Sequence, residues 1–222
     1  MNTWTITDEG DEQLIVRNLN SEAIKQLQHI KHQAIRDFIP AFSTLGISYE
    51  CLSPHTREEI CQAIQNTLNH MQTSHHASSG QIIELPICYE MNLDIESIAQ
   101  ELHISPDAVI EKHLHSTFTV AMLGFAPGAP YMTGLHADLV PITRKSNPLL
   151  SIPAGSVGIA NGQCFIYPKT SPGGWQIVGR CPLKLFNPQH DSEHLTLITP
   201  NSTVKFKRIN EETFHALNEL GE

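Results

Sequence analysis

Positive charge is scarce in this sequence: 14 lysines and arginines stand against 23 aspartates and glutamates, a formal net charge of −9. Nucleic acids and anionic membrane surfaces both reward a basic face, so neither is expected as a partner. No basic segment leads into an apolar run at the N-terminus, and no signal peptide is expected. The cysteines, Cys51, Cys61, Cys88, Cys164 and Cys181, are odd in number and form no C-x-x-C pair. That usage fits reduced thiols in the cytoplasm rather than a disulfide scaffold. A G-x-x-x-x-G-K-[ST] segment is missing, so the chain does not bind ATP through a P-loop of its own. There is no internal repeat and no low-complexity tract. The one charge-free window that suggests a membrane span, Ser116–Leu135, is broken by Gly124, Pro127, Gly128, Pro130 and Gly134. Lipid would leave that backbone unsatisfied, so the stretch reads as a buried strand running into a loop.

What is present is an ordinary globular composition over 222 residues, enough for one large domain or two small ones. Thr3–Thr7 and Gln13–Arg17 read as short strands. Ser21 is a candidate cap for a helix whose apolar positions Ile24, Leu27, Ile30, Ala34 and Phe38 run until Pro40. Ile47, Tyr49 and Cys51 alternate as in a strand, and Thr56 with Glu59 spells a capping box opening a helix through Ile60, Ile64, Leu68 and Met71. The order ββαβα predicts a small two-layer α+β domain over residues 1–78, closed by the polar linker Gln72–Gly80. A second domain over 79–222 begins with the strand "IIELPICY" and two short helices around Asp94–Leu102 and Pro106–His113. From Phe118 onward, short apolar runs ("FTVAML", "SVGIA", "CFIY", "WQIVG", "LTLIT", "VKFKRI") separated by glycine and proline predict a closed barrel or a sandwich.

Several motifs lead nowhere. Ile98–Leu114 has the outline of a helix-turn-helix, but Asp94, Glu96, Glu101, Asp107 and Glu111 outnumber the single base Lys112 and would repel phosphate. Two packed structural helices are expected instead. Ala154–Gly158, "AGSVG", approaches a nucleophile elbow, but the residues after Ser156 read as strand, turn, strand rather than the strand–turn–helix an elbow needs. His113 and His115, two apart on an expected strand, and His75–His76 in the linker have no third ligand at metal spacing, so no metal site is assigned.

The informative stretch runs from Gly124 to Phe186: "GFAPGAPYMTGL", "PAGSVGIA", "IYP", "SPGGW" and "GRCP", in that order. This combination resembles the signature of the 5-oxoprolinase B-subunit family, which also includes a sporulation kinase inhibitor and the allophanate hydrolase subunit 1 domain related to urea carboxylase. The resemblance covers essentially the whole chain. It implies an α+β fold in which the small two-layer N-terminal domain precedes a cyclophilin-like β-barrel. It further implies a cytoplasmic, hetero-oligomeric hydrolase with a carboxyltransferase-like module, active only with its partner A and C subunits, that opens the lactam of 5-oxoproline to L-glutamate with ATP. ATP is expected at the level of the complex, with no metal or biotin site in this chain. The alternative is a regulator that docks on and inhibits a sensor histidine kinase. A site for 5-oxoproline needs a cation for the carboxylate, donors for the lactam oxygen and an apolar wall. Arg144 and Arg180 are the candidate cations, and Ser156, Gln163 and Tyr167 the neutral hydrogen-bonding groups. Trp175, Tyr131 and Phe125 are the candidate walls, and His113 the candidate proton carrier. Phosphorylation of the lactam oxygen by ATP would create a leaving group, and an arginine would stabilise the anionic transition state. The chain departs from the family pattern at Ala129, Thr143, Leu149, Phe165 and Cys181; Phe165 stands in place of a glycine and is expected to fill or reshape the pocket.

Overall fold

The computed structural model describes residues 4–71, 82–189 and 195–220, and the chain divides into two compact units, Met1–Ser79 and Gly80–Glu222. The expected linker, Gln72–Gly80 with His75 and His76, lies outside the described residues. In the first unit, strands β1 (Thr5–Asp8) and β2 (Gln13–Arg17) precede helix α1 (Ser21–Gln28). Strands β3 (Ile35–Ala41) and β4 (Thr44–Tyr49) precede helix α2 (Thr56–His70). The strands form an antiparallel sheet in the order β1-β2-β4-β3. Leu14, Val16, Leu45, Ile47 and Tyr49 alternate onto the face that meets Ile24 and Leu27 of α1 and Ile60, Ile64 and Leu68 of α2. The unit is therefore two layers, helices on one sheet face.

Its element order is ββαββα, not ββαβα. The expected helix through Phe38 stops at Gln28, and Ile35–Ala41 instead pairs with β4 as the edge strand of the sheet. An edge position tolerates Pro40, whose missing N–H costs a central strand a ladder bond. Two capping expectations also change. Asn20 rather than Ser21 caps α1, its Oδ1 accepting the Ala23 N–H at 2.8 Å. Thr56 is the first helical residue of α2, and its Oγ1 accepts the Ser53 N–H at 2.8 Å, so no capping box forms with Glu59. Cys51 lies beyond the end of β4 and is exposed.

The second unit comprises β5 (Ile82–Ile87), α3 (Ile95–Leu102), α4 (Pro106–Leu114), β6 (Phe118–Leu123), β7 (Pro130–Thr133), β8 (Leu149–Ile152), β9 (Ser156–Ala160), β10 (Gln163–Ile166), β11 (Ser171–Gly173), β12 (Gln176–Arg180), β13 (Thr203–Arg208) and α5 (Glu211–Leu220). Seven of these strands form one sheet in the order β12-β9-β10-β7-β6-β13-β5. A bridge between Cys88, just past β5, and Arg180, at the end of β12, joins its two edges through paired backbone bonds of 2.8 and 2.9 Å. The sheet is thus a nearly closed barrel. Gly179 makes this seam possible, because a Cβ there would sit 2.8 Å from the Cys88 carbonyl oxygen.

Every strand of the barrel sends residues into one core, among them Ile87, Val120, Met132, Ile159, Cys164, Val178 and Phe206. Ile95, Ile98 and Ala99 of α3 and Val109 and Ile110 of α4 join the same core. These helices are packed structural elements, in keeping with their apolar positions. The β9–β10 hairpin turns through Asn161 (φ 52°) and Gly162 (φ 74°), the pair of left-handed residues that a type I′ turn requires. Two sequence expectations shift. Leu195–Thr199, read as a strand, contributes only the isolated bridge from Thr196 to Phe186. Helix α5, an addition to the expected elements, buries Phe214. Among the described residues no helix is long and apolar enough to cross a membrane; the charge-free stretch supplies β6 and β7 instead.

Candidate functional site

Strand alternation sets up a second, smaller cluster on the opposite face of the barrel wall. Cys164 and Ile166 of β10 point into the barrel core, so Phe165 between them points out. Tyr167, Trp175, Ile177 and Ala160 join it there with Ile152 from the β8–β11 ribbon, and Tyr131 of β7 packs against them. Phe165 is the hub. It stacks on Trp175 at 5.4 Å between ring centroids, and meets Tyr131 at 4.7 Å, Tyr167 at 4.9 Å and Phe125 at 6.1 Å.

Over this cluster lies a recess of about 140 Å³, lined by Phe125, Tyr131, Arg144, Phe165, Tyr167, Trp175 and the segment Pro172–Gly174 at the end of β11. Glycine shapes it by permitting close approach. A Cβ on Gly158 would lie 2.7 Å from the Trp175 Cβ, and one on Gly173 would collide with the Tyr167 hydroxyl. Neither Gly173 nor Gly174 has a positive φ, so the double glycine is not there for a left-handed turn. Phe125 is the backbone outlier at the rim: it has φ 72° and is 66% exposed, an unfavourable posture for an aromatic residue that recurs at functional sites.

Two polar groups face this aromatic floor. The Arg144 guanidinium stands 5.2 Å over the Trp175 ring, a cation–π contact that leaves its N–H donors available to an anion. The Tyr167 hydroxyl is buried, with the Trp175 backbone N–H directed at its oxygen and no acceptor for its own proton among the described residues; the hydroxyls of Ser156 and Ser171 have no partner there. Burial pushes the Tyr167 phenol above its usual pKa, so it stays protonated and able to donate.

The structure therefore brings Arg144, Tyr167, Trp175, Tyr131 and Phe125 to one recess. Ser156 lies beside it: the Tyr167 N–H donates to the Ser156 carbonyl, while the Ser156 hydroxyl is buried in the wall. Gln163 opens β10 opposite Thr133 and Ala160 and does not line the recess. Arg180 is also elsewhere. Its Nη2 and Nε donate to the Ala154 carbonyl at 2.9 and 3.3 Å, and its guanidinium lies 5.1 Å over the Phe214 ring of α5.

His113 sits on α4, not on a strand, and is fully buried in the barrel core against Phe118 and Phe206. Its Nδ1 lies 2.7 Å from the Tyr89 hydroxyl, and burial pulls its pKa down to about 3. It is neutral at physiological pH and walled off from the recess. His115 caps the same helix and is exposed, so the two imidazoles do not share a face. Among the described residues no group of three or more potential ligands could hold a metal ion. Sequence reasoning missed Lys145, Asp94 and Ser171. Lys145 adjoins Arg144, but Asp94 reads locally as an ordinary helix cap.

The chain matches the family model described as carboxyltransferase domain, subdomain C and D, over residues 5–196. It is 34% identical to the 5-oxoprolinase B subunit of Bacillus subtilis, covering 97% of both chains. It is 39% identical to the protein of the same name from Haemophilus influenzae, over 57% of this chain and 59% of that one. Among solved structures, a conserved uncharacterized protein from Pyrococcus horikoshii aligns over 95% of this chain and 100% of its own, at 30% identity and a TM-score of 0.57. The urea amidolyase of K. lactis aligns over 98% of this chain with a TM-score of 0.76; at 19% identity and 15% of that chain's length, this likeness speaks for the fold.

Proposed function

Because the chain belongs to the 5-oxoprolinase B-subunit family, we propose that it serves as the B component of a complex that cleaves the lactam of 5-oxoproline to L-glutamate. The A and C subunits and ATP complete the system, which we assign to the cytoplasm. The observation that carries this reading is the recess itself: one cation, one phenol whose proton has no acceptor among the described residues, and four further aromatic rings around about 140 Å³. 5-Oxoproline offers a carboxylate for Arg144, a lactam oxygen for the Tyr167 hydroxyl and a flat apolar ring for Trp175 and Phe165. Arg144 would anchor the substrate through charge-assisted bonds. The Tyr167 hydroxyl would donate to the oxygen on which negative charge develops when the amide is attacked.

The residues here do not fit ATP. The recess falls below the roughly 300–1,000 Å³ of pockets that take drug-sized ligands, and its lining has a single cation for three phosphates. The nucleotide is therefore assigned to the partner subunits. Arg180 and His113 drop out as reacting groups in this scheme, the first engaged by Ala154 and Phe214, the second neutral inside the core. The kinase-docking alternative gains no support from the relatives found.

The test is co-expression with the A and C subunits, followed by ATP-dependent glutamate release from 5-oxoproline. Arg144→Ala should raise KM by about tenfold to a hundredfold, the loss of a hydrogen bond to a charged group being about 1.5–3 kcal/mol. An inert wild-type complex, or an unchanged KM in a folded Arg144→Ala complex, would sink the assignment.

A further inference from the structure

Asp94 stands at the N-cap of α3, where an aspartate ordinarily accepts a backbone N–H of the first turn. Here it makes no such bond. Asn92 accepts the Ile95 N–H instead, at 3.1 Å. The Asp94 carboxylate is turned the other way. Its Oδ2 accepts the Ile177 N–H at 2.6 Å, and its Oδ1 pairs with the Lys145 ammonium. The Asp94 N–H in turn donates to the Ile177 carbonyl at 3.1 Å, so one residue grips both sides of Ile177.

Lys145 extends the grip around Trp175. Its own N–H donates to the Gly174 carbonyl at 2.7 Å, and the Gln176 side chain reaches the Thr143 carbonyl at 3.3 Å. The segment Thr143–Lys145 is thus stitched to the residues before and after Trp175, and Arg144 is the residue between the stitches. Both side chains of the ion pair are largely buried, Asp94 at 8% and Lys145 at 18% exposure. A buried pair of this kind adds little net stability over an apolar pair of the same shape, so stability does not explain forgoing the cap. Geometry does.

We propose that Asp94 and Lys145 are positioning residues that hold Arg144 over Trp175 and thereby set the affinity of the recess for an anionic ligand. The inference rests on the recess being the substrate site. The ion pair itself touches no reacting atom. It fixes where the guanidinium stands, and Arg144 does the binding.

Two readouts separate this inference from the functional reading. In the full chain carrying Trp4→Phe, Trp175 is the remaining tryptophan, and iodide, an anionic quencher, reports whether a cation stands beside it; acrylamide serves as the neutral reference. Lys145→Met and Asp94→Asn should each lower iodide quenching relative to acrylamide. In the assembled complex each should raise KM for 5-oxoproline by about tenfold with kcat within about twofold, and the double variant should be no worse than the singles, as residues of one network behave. Lys112→Met, which breaks the exposed pair with Asp138, should change neither readout.

Unchanged iodide quenching in a folded Lys145→Met chain overturns the positioning role, and Lys145→Met suffices if Asp94→Asn fails to fold. If Arg144→Ala raises KM while Lys145→Met leaves KM and quenching alone, the positioning role falls and the substrate site stands. If Lys145→Met lowers quenching while Arg144→Ala leaves KM unchanged, the geometry stands and the substrate assignment falls.

Discussion

A buried phenol whose proton finds no acceptor costs about 1–3 kcal/mol of lost hydration, and among the described residues the Tyr167 hydroxyl has none. Removing that hydroxyl should relieve the cost and forfeit its use. Tyr167→Phe is therefore expected to keep or raise the stability of the second unit, by up to about 1 kcal/mol, while lowering kcat/KM for 5-oxoproline. Denaturant midpoints and steady-state kinetics check the pair of outcomes, and a Phe variant that loses stability would show that the hydroxyl has a structural partner. At this scale much of the site is legible in the sequence. Arg144, Tyr131, Tyr167, Trp175 and Phe125 read as a cation, a donor and walls, and Phe165 as a pocket filler. Arg180 is instructive because it shares strand β12 with the approach from Trp175, and nearness in sequence suggests a shared pocket. Its side chain instead reaches the Ala154 carbonyl and the α5 ring, since alternation, a bulge between Ile177 and Gly179 and the seam with Cys88 re-aim it.

Among the elements, β3 and α5 mark where local pattern misleads. Ile24, Leu27, Ile30, Ala34 and Phe38 satisfy a helical period, yet the chain leaves the helix at Gln28 and Ile35–Ala41 completes the edge of the sheet. Pairing with β4 satisfies backbone groups and favours the β-branched and aromatic residues of that stretch, whose helical preference is weak. Helix α5 lies beyond the recognised motifs, and its role is tertiary. Phe214 is 2% exposed and backs the Arg180 guanidinium at the end of β12, next to the barrel seam. Phe214→Ala should cost the second unit about 3 kcal/mol, the low end for truncating a buried phenylalanine, read from urea denaturation followed by Trp175 emission in the Trp4→Phe chain. A loss below about 1 kcal/mol would place α5 outside the cooperative unit.

For the molecule as a whole, His113 ties stability to pH. Burial holds its pKa at about 3 against the ordinary 6.5 of a solvated imidazole, so the unfolded chain takes up a proton that the folded chain refuses. The stabilisation is fully present above pH 6.5 and falls as the pH drops from there toward 3, by about 1.4 kcal/mol per unit. The neighbouring Tyr89 phenol and Cys164 thiol are both raised by burial and remain neutral throughout this window. His113→Phe should flatten the stability slope between about pH 6.5 and 5 by about that amount, whatever it does to absolute stability; an equal slope in both proteins would contradict the assignment. The sequence alone determined the family frame, the strand-rich second half, the turn between β9 and β10 and the residue types of the recess, because turn chemistry and alternation act over a few residues. Only the tertiary structure decided that Cys88 meets Arg180 to close the barrel, that His113 is sealed inside it, and that Asp94 reaches Lys145 and Ile177. Those contacts join segments far apart along the chain, and no local preference specifies which distant partner a backbone edge or a buried charge will find.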